Sequence, residues 1–231
     1  EIASLGVLYG FLFHSGQSCS SGTRLLIHEK IYSQFVEKLL SNIKKISVGL
    51  PHLETSGYGP VINEKQFNRI MAYIHQAKEN GSNILCGGKR LEEAELSKGF
   101  YIAPTLIEAQ ETDQIFQEEI FGPVAVLCSF SDAAEAIRLA NHSNYGLAGS
   151  IWTQDISLGK KLASQIETGT VWINDYHALS DYMPFGGFKE SGLGREMGEE
   201  GIDAFLESQH LCVSDMPIAD KIKKYSFLMM Q

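Results

Sequence analysis

The sequence predicts an α/β fold, a mainly parallel sheet flanked by helices, on three observations. Short apolar runs alternate with segments of helical hydrophobic spacing, which is the order of a parallel sheet with crossover helices. Of the 231 residues, 44% are hydrophobic, enough for one sizeable core. Glycine and proline fall at the joins, where a helix must stop.

Taken in order, Ile2, Leu5, Leu8, Tyr9 and Leu12 recur at helical spacing, so the chain opens on a helix. A turn holding Cys19 follows, and 24–27 reads as a short buried strand. Ile31, Phe35, Val36, Leu39, Leu40 and Ile43 then form one apolar stripe beside Lys30, Glu37, Lys38 and Lys44. Gly49 and Pro51 end that helix. Another starts at Asn63, with Gln66 three residues on as in a capping box, and turns Phe67, Ile70, Met71, Ile74 and Ala77 inward until Gly81. Strands are expected at 83–86, 102–107, 124–130, 147–152 and 170–173, with helices at 132–140 and 157–166 between them. A short helix at 202–206, a strand at 209–213 and a polar tail with Pro217 and several lysines close the chain. Neither an internal repeat nor a low-complexity stretch interrupts it.

The formal net charge of −9 argues against nucleic acid or an anionic membrane as principal partner, since both demand clustered Lys and Arg. No apolar run approaches the roughly 20 residues of a spanning helix, and no charged-then-apolar leader opens the sequence. A cytoplasmic location is expected. Cys19, Cys86, Cys128 and Cys212 are scattered without paired spacing, so neither a metal site nor a disulfide framework is indicated, and reduced thiols are expected. The first residue is Glu1, inside the opening helix, which reads as a piece of something longer.

Three dense motifs carry the functional signal. The first is Phe13-His14-Ser15-Gly16-Gln17-Ser18-Cys19-Ser20-Ser21-Gly22-Thr23-Arg24; the second is Glu118-Glu119-Ile120-Phe121-Gly122-Pro123-Val124; the third runs from Pro184-Phe185-Gly186-Gly187-Phe188-Lys189 to Arg195-Glu196. A lone cysteine is usually a small buried hydrophobe. In this order, however, the three motifs resemble the aldehyde dehydrogenase superfamily from near residue 1 to about Val213. Thr170-Val171-Trp172-Ile173-Asn174-Asp175-Tyr176-His177 looks most like its betaine-aldehyde and related aliphatic branches.

The resemblance implies that 1–206 is a catalytic domain, incomplete at its N-terminal side, and that 207–231 is an oligomerisation strand with a tail. The strand at 209–213 would seek another copy, the alternative being the edge of its own sheet. The implied reaction oxidises an aldehyde to an acid with NAD or NADP, NAD favoured, and Cys19 is the implied nucleophile. A thiolate attacks the carbonyl to give a thiohemiacetal, loss of hydride leaves a thioester, and water hydrolyses it. The small residues around Cys19 would let backbone N–H groups approach the oxyanion, with its own N–H as the candidate donor.

Glu119 and Phe121 resemble the cofactor pair, one for ribose hydroxyls and one for the nicotinamide; two apart on an extended segment, they would point to one side. On the residues alone, Phe121 would be core and Glu119 solvated. Leu179 and Phe185 are implied as apolar walls of a substrate tunnel, His177 lies near its entrance, and Asn174 would orient substrate or Cys19. His14 stands where the family has Asn and reads as a ring packed in the core rather than a base; Arg195 and Glu196 read as structural ion-pair members. Phe185-Gly186-Gly187 lacks the spacing of a phosphate loop.

The family's general-base Glu, its oxyanion Asn and its adenosine-binding turn lie upstream of the nucleophile and are not in this sequence. The expected partners are therefore an aldehyde, a missing N-terminal dinucleotide-binding domain and further copies of the chain, and the chain alone is expected to be inactive or nearly so. The rival readings are a non-catalytic assembly or regulatory module and a thiol-dependent esterase.

Overall fold

The computed structural model describes residues 1–229. Eight α-helices and eight strands are assigned among them. Helix α1 (Ile2–Leu12) leads through the Cys19 turn into β1 (Arg24–His28), and α2 (Tyr32–Ile43) returns across the sheet. Next come α3 (Glu64–Glu79), β2 (Asn83–Cys86), β3 (Thr105–Glu108), the short α4 (Gln114–Gln117) and β4 (Val124–Phe130). The central sheet has the order β1-β4-β3-β2. β1 and β3 pair with β4 in parallel, Arg24 opposite Val126 and Thr105 opposite Val124, while β2 joins the edge antiparallel.

Both sheet faces are covered, and the period of two along the strands sorts the side chains between them. Ala125 and Leu127 of β4, Leu106 of β3 and Leu25 and Ile27 of β1 pack with Leu8, Phe11 and Leu12 of α1 and Val36, Leu39 and Ile43 of α2. Val124 and Val126 of β4 and Ile107 of β3 face the opposite way, onto Phe67, Ile70, Ile74 and Ala77 of α3 and Ile115 and Phe116 of α4. The apolar stripes of α2 and α3 are thus the two halves of one sandwich.

The chain continues through α5 (Ala133–Asn141), β5 (Tyr145–Gly146), β6 (Ala148–Ile151), α6 (Ile156–Ala163) and β7 (Thr170–Ile173). β6 and β7 form a separate parallel pair; β5 pairs antiparallel with β8 (Phe188–Lys189). α7 (Gly198–Asp203) and α8 (Ile218–Tyr225) follow.

Several expectations are corrected. The strand expected at 102–107 begins only at Thr105, because Pro104 has no N–H for the ladder; Ile102 makes an isolated bridge to Arg90. Within the chain itself 209–213 does not join the edge of its own sheet: residues 206–217 carry no regular secondary structure, with Leu211 83% and Val213 82% exposed. The polar tail instead holds α8, where Ile218, Ile222 and Tyr225 share a face at helical spacing. The short helix lies four residues earlier than expected, starting at Gly198. Asn63 does cap α3, accepting from the Gln66 amide at 2.9 Å, but the Gln66 side chain does not close the box.

Leu106 is fully buried at the centre of the sheet. Leu106→Ala is expected to cost about 2–5 kcal/mol in urea unfolding, whereas a loss under 1 kcal/mol would contradict the packing described here.

Candidate active site

The parallel pairing of β1 with β4 places the segments that enter these two strands side by side. The Cys19 turn enters β1 and the Glu119–Phe121 loop enters β4, so two motifs about a hundred residues apart meet at one end of the sheet. Their contact is backbone on backbone. Gly16 has φ +71°, and a side-chain carbon there would lie 2.0 Å from the Gly122 carbonyl oxygen. Gly122 in turn lies against Ile70 of α3, 2.4 Å from where its own side chain would begin. Only glycine fits either position without displacement.

Cys19 is exposed, at the second position of a turn closed by the Ser21 amide donating to the Ser18 carbonyl at 3.0 Å. Among the described residues the Cys19 amide meets no acceptor. The preceding segment is pinned elsewhere: Ser15 Oγ donates to the Gly59 carbonyl at 3.0 Å, and Gln17 Oε1 accepts from the Ile62 amide at 2.8 Å. Immediately after the turn, the Arg24 guanidinium donates to the carbonyls of Leu139 (3.1 Å), Ala140 (2.7 Å) and His142 (3.3 Å) and lies over the Phe116 ring. It thereby satisfies the open carbonyl end of α5 and fixes where β1 begins.

His177 is brought to this turn. Its Nδ1 lies 3.2 Å from Ser20 Oγ and its Nε2 3.2 Å from the Gly10 carbonyl, and Ser20 Oγ is 3.2 Å from Ser18 Oγ. A carbonyl only accepts, so Nε2 carries the proton and Nδ1 accepts from Ser20. Burial pulls the His177 pKa below its ordinary value, the nearby His14 pulls the same way, and the bond to Gly10 opposes them. The neutral ring therefore prevails at neutral pH. The same Gly10 carbonyl accepts from the Gly22 amide at 3.0 Å. Tyr176 packs on Gly10 and Gly22; a side chain at Gly22 would collide with that ring and one at Gly10 would crowd it, and burial raises the phenol pKa.

The second motif is held from α3. Gln66 Nε2 donates to the carbonyls of Ile120 (3.1 Å) and Phe121 (2.8 Å), while Arg69 donates to those of Ile120 and Glu119. With their carbonyls occupied, Glu119 keeps an exposed carboxylate without a hydrogen bond or ion pair among the described residues, and the Phe121 ring is half-buried. Glu118 differs, accepting from Tyr73 and Gln114. Phe121 has φ +62°, so the segment is not extended and the expectation that Glu119 and Phe121 share a side by strand periodicity fails.

Other expected site residues fall elsewhere. Asn174 Oδ1 accepts from the Thr153 amide at 2.8 Å and its Nδ2 donates to the Thr153 carbonyl at 2.7 Å, so its amide prolongs the β6–β7 pairing and is spent before it can orient a substrate. Phe185 is half-buried and exchanges backbone hydrogen bonds with Glu196, and Leu179 is 50% exposed; no hydrogen bond among the described residues ties either to the Cys19 turn. His14 is exposed and stacks on Phe13 rather than in the core. Arg195 does not pair with Glu196; it donates to the carbonyls of Gly187 and Gly194 and lies over Phe188. The sequence offered no sign that Gln66 and Arg69 hold the 119–121 loop or that Ser20 meets His177, because these partners are distant in the chain.

A family model described as the aldehyde dehydrogenase family matches residues 1–211. Betaine aldehyde dehydrogenase of Bacillus subtilis is 40% identical over 221 residues, 95% of this chain and 45% of that protein. The chloroplastic betaine aldehyde dehydrogenase of Atriplex hortensis is 41% identical over 220 residues, 94% of this chain and 43% of that protein. The crystal structure of betaine aldehyde dehydrogenase from Staphylococcus aureus in complex with NAD+ superposes with a TM-score of 0.89 at 41% identity, covering 91% of this chain and 42% of that one. The chain spans less than half the length of these relatives. It belongs to the aldehyde dehydrogenase family.

Gly16→Ala places a side chain on the Gly122 carbonyl at a left-handed backbone position. It is expected to lower unfolding stability by about 1–3 kcal/mol or more; an unchanged urea midpoint would show that the two loops are not in contact.

Proposed function

Starting from that membership, we propose that this chain is the nucleophile-bearing portion of an NAD(P)+-dependent aldehyde dehydrogenase, with NAD+ as the favoured cofactor and Cys19 as the nucleophile. The single observation that carries the reading is the exposed thiol on a fixed turn, lying at the same end of the sheet as a loop with a free carboxylate and a half-buried ring. The residues present fit the nicotinamide-ribose end of a dinucleotide. Glu119 would accept from ribose hydroxyls, and Phe121 would pack beside the nicotinamide. When bound, the cofactor supplies the acceptor for hydride.

The chain's own residues do the rest of the work assigned to them here. Cys19 attacks the aldehyde carbon as its thiolate, forming the C–S bond of a thiohemiacetal and turning the carbonyl oxygen into an oxyanion. The Cys19 amide would donate to that oxygen, a contribution of about 3–4 kcal/mol for one such donor in comparable sites. Loss of hydride from the same carbon leaves an acyl group on Cys19, which water then releases as a carboxylic acid.

Releasing that thioester needs a base. Among the described residues no Asp or Glu side chain is hydrogen-bonded to residues 14–22. Loss of a general base typically slows such a step about 10²–10⁴-fold. The chain alone is therefore proposed to acylate and stall, and the dinucleotide-binding portion of the family is proposed to complete it. Assembly through 207–231 with further copies stands as part of the same proposal.

Betaine aldehyde is the proposed substrate class, on the names of the relatives and on one feature of this chain. Tyr9 and Phe13, 50% and 37% exposed, lie 5.7 and 5.3 Å from the His177 ring, close to the Cys19 turn. Exposed aromatic faces attract a quaternary ammonium. A cytoplasmic location is carried with the same reading; no helix among the described residues is long and apolar enough to cross a membrane.

Fused behind the N-terminal half of the Bacillus subtilis relative, this chain is expected to reduce NAD+ with betaine aldehyde, and Cys19→Ser to lower kcat by about 10³-fold or more. The unfused chain is expected to form at most one NADH per chain and then stop. A fused protein whose activity survives Cys19→Ser would refute the reading.

A further inference from the structure

We propose that His177 is a positioning residue for Cys19, acting through Ser20 to hold the 18–21 turn that carries the thiol. The inference rests on the functional reading above for its consequence in catalysis, but its geometry stands apart from it.

The hydroxyls and the ring form a chain with a fixed sense. Nε2–H of His177 donates to the Gly10 carbonyl, so Nδ1 must accept; Ser20 O–H donates to Nδ1, and Ser18 O–H donates to Ser20 Oγ. The two serines flank Cys19 directly and are the first residue and the third of the turn. The chain's far end is the Gly10 carbonyl, which also holds the Gly22 amide just beyond the turn. One imidazole therefore ties helix α1 to both sides of the residue it never touches by hydrogen bond.

The ring is itself held. Its neighbours are Tyr9 and Phe13 from α1 and the residue after it, and Trp172 and Tyr176 from β7 and the segment leaving it. The titratable groups facing it are Tyr9, Tyr176 and His14, the last on the 13–16 segment that precedes the turn. Its backbone has φ +58°, a left-handed position for a residue with a side chain.

The test is the second-order rate of Cys19 alkylation by iodoacetamide in the 231-residue chain, read by peptide mass so that the other three cysteines do not contribute. His177→Phe keeps the ring packing and removes both bonds; Ser20→Ala removes the link alone. Each is expected to slow Cys19 alkylation about threefold to tenfold, the range that one hydrogen bond of ordinary worth supports. His177→Asn places an acceptor where Nδ1 was and is expected to restore the rate, while His177→Gln, which can reach only Gly10, is not. The double variant Ser20→Ala/His177→Phe is expected to be no slower than either single one, because both break the same chain.

A wild-type or faster rate in both single variants, an Asn variant as slow as the Phe variant, or additive losses in the double variant would overturn the proposal. Should His177→Phe fail to fold, Ser20→Ala and His177→Asn decide alone. No aldehyde or cofactor enters the assay. Failure of aldehyde oxidation with an intact alkylation pattern would sink the functional reading and leave the positioning role standing.

Discussion

The parallel pairing of β1 with β4 is the constraint on which the rest of the site depends. Parallel neighbours receive their chains at the same end, so whatever precedes β1 must lie beside whatever precedes β4. The glycines of the two motifs follow from that demand. Gly16 at φ +71° rests on the Gly122 carbonyl and Gly122 rests on the Ile70 side chain, so the nucleophile loop meets the Glu119–Phe121 loop backbone on backbone and that loop sits on a side chain of helix α3. The apolar core below them fixes the strands, and the strands fix the loops.

Each loop is then held by side chains that bond to backbone carbonyls. Arg24 closes the end of α5, Gln66 and Arg69 occupy the carbonyls of 119–121, and His177 occupies that of Gly10. This arrangement leaves the reactive groups unspent. Among the described residues, Cys19 is exposed with an amide that meets no acceptor, and Glu119 has no partner while Glu118 has two. The distribution separates residues that position from residues that would touch substrate or cofactor, and it does so within a single motif for Cys19 and Ser20.

What was legible in the sequence is what one-sided burial writes there. The stripes of α2 and α3, the alternation along β4 and the cap at Asn63 each follow from local periodicity or a local hydrogen bond. The Cys19 and Glu119–Phe121 motifs were found by their resemblance to a family, not by their chemistry. Tertiary partners were not legible. Gln66 looked like half a capping box because three residues' spacing permits it, yet its side chain gains more from two carbonyls of a distant loop. Asn174 looked poised for substrate because it ends a strand, and ending a strand is what its amide does. The 209–213 segment has the composition of a strand, but composition does not say which backbone it would pair with, and within the chain it stands outside the sheets.

The central claim, that the fold presents Cys19 as a nucleophile, is tested most directly by acetylating the 231-residue chain with an activated acetate ester and mapping the acetyl group by peptide mass. Cys212 is an internal control, since its thiol is exposed like that of Cys19 but lies in a segment without regular structure. The account predicts that Cys19 is acetylated first and holds the acetyl group for want of a base to release it. Acetylation of Cys212 as fast as or faster than Cys19 would contradict it.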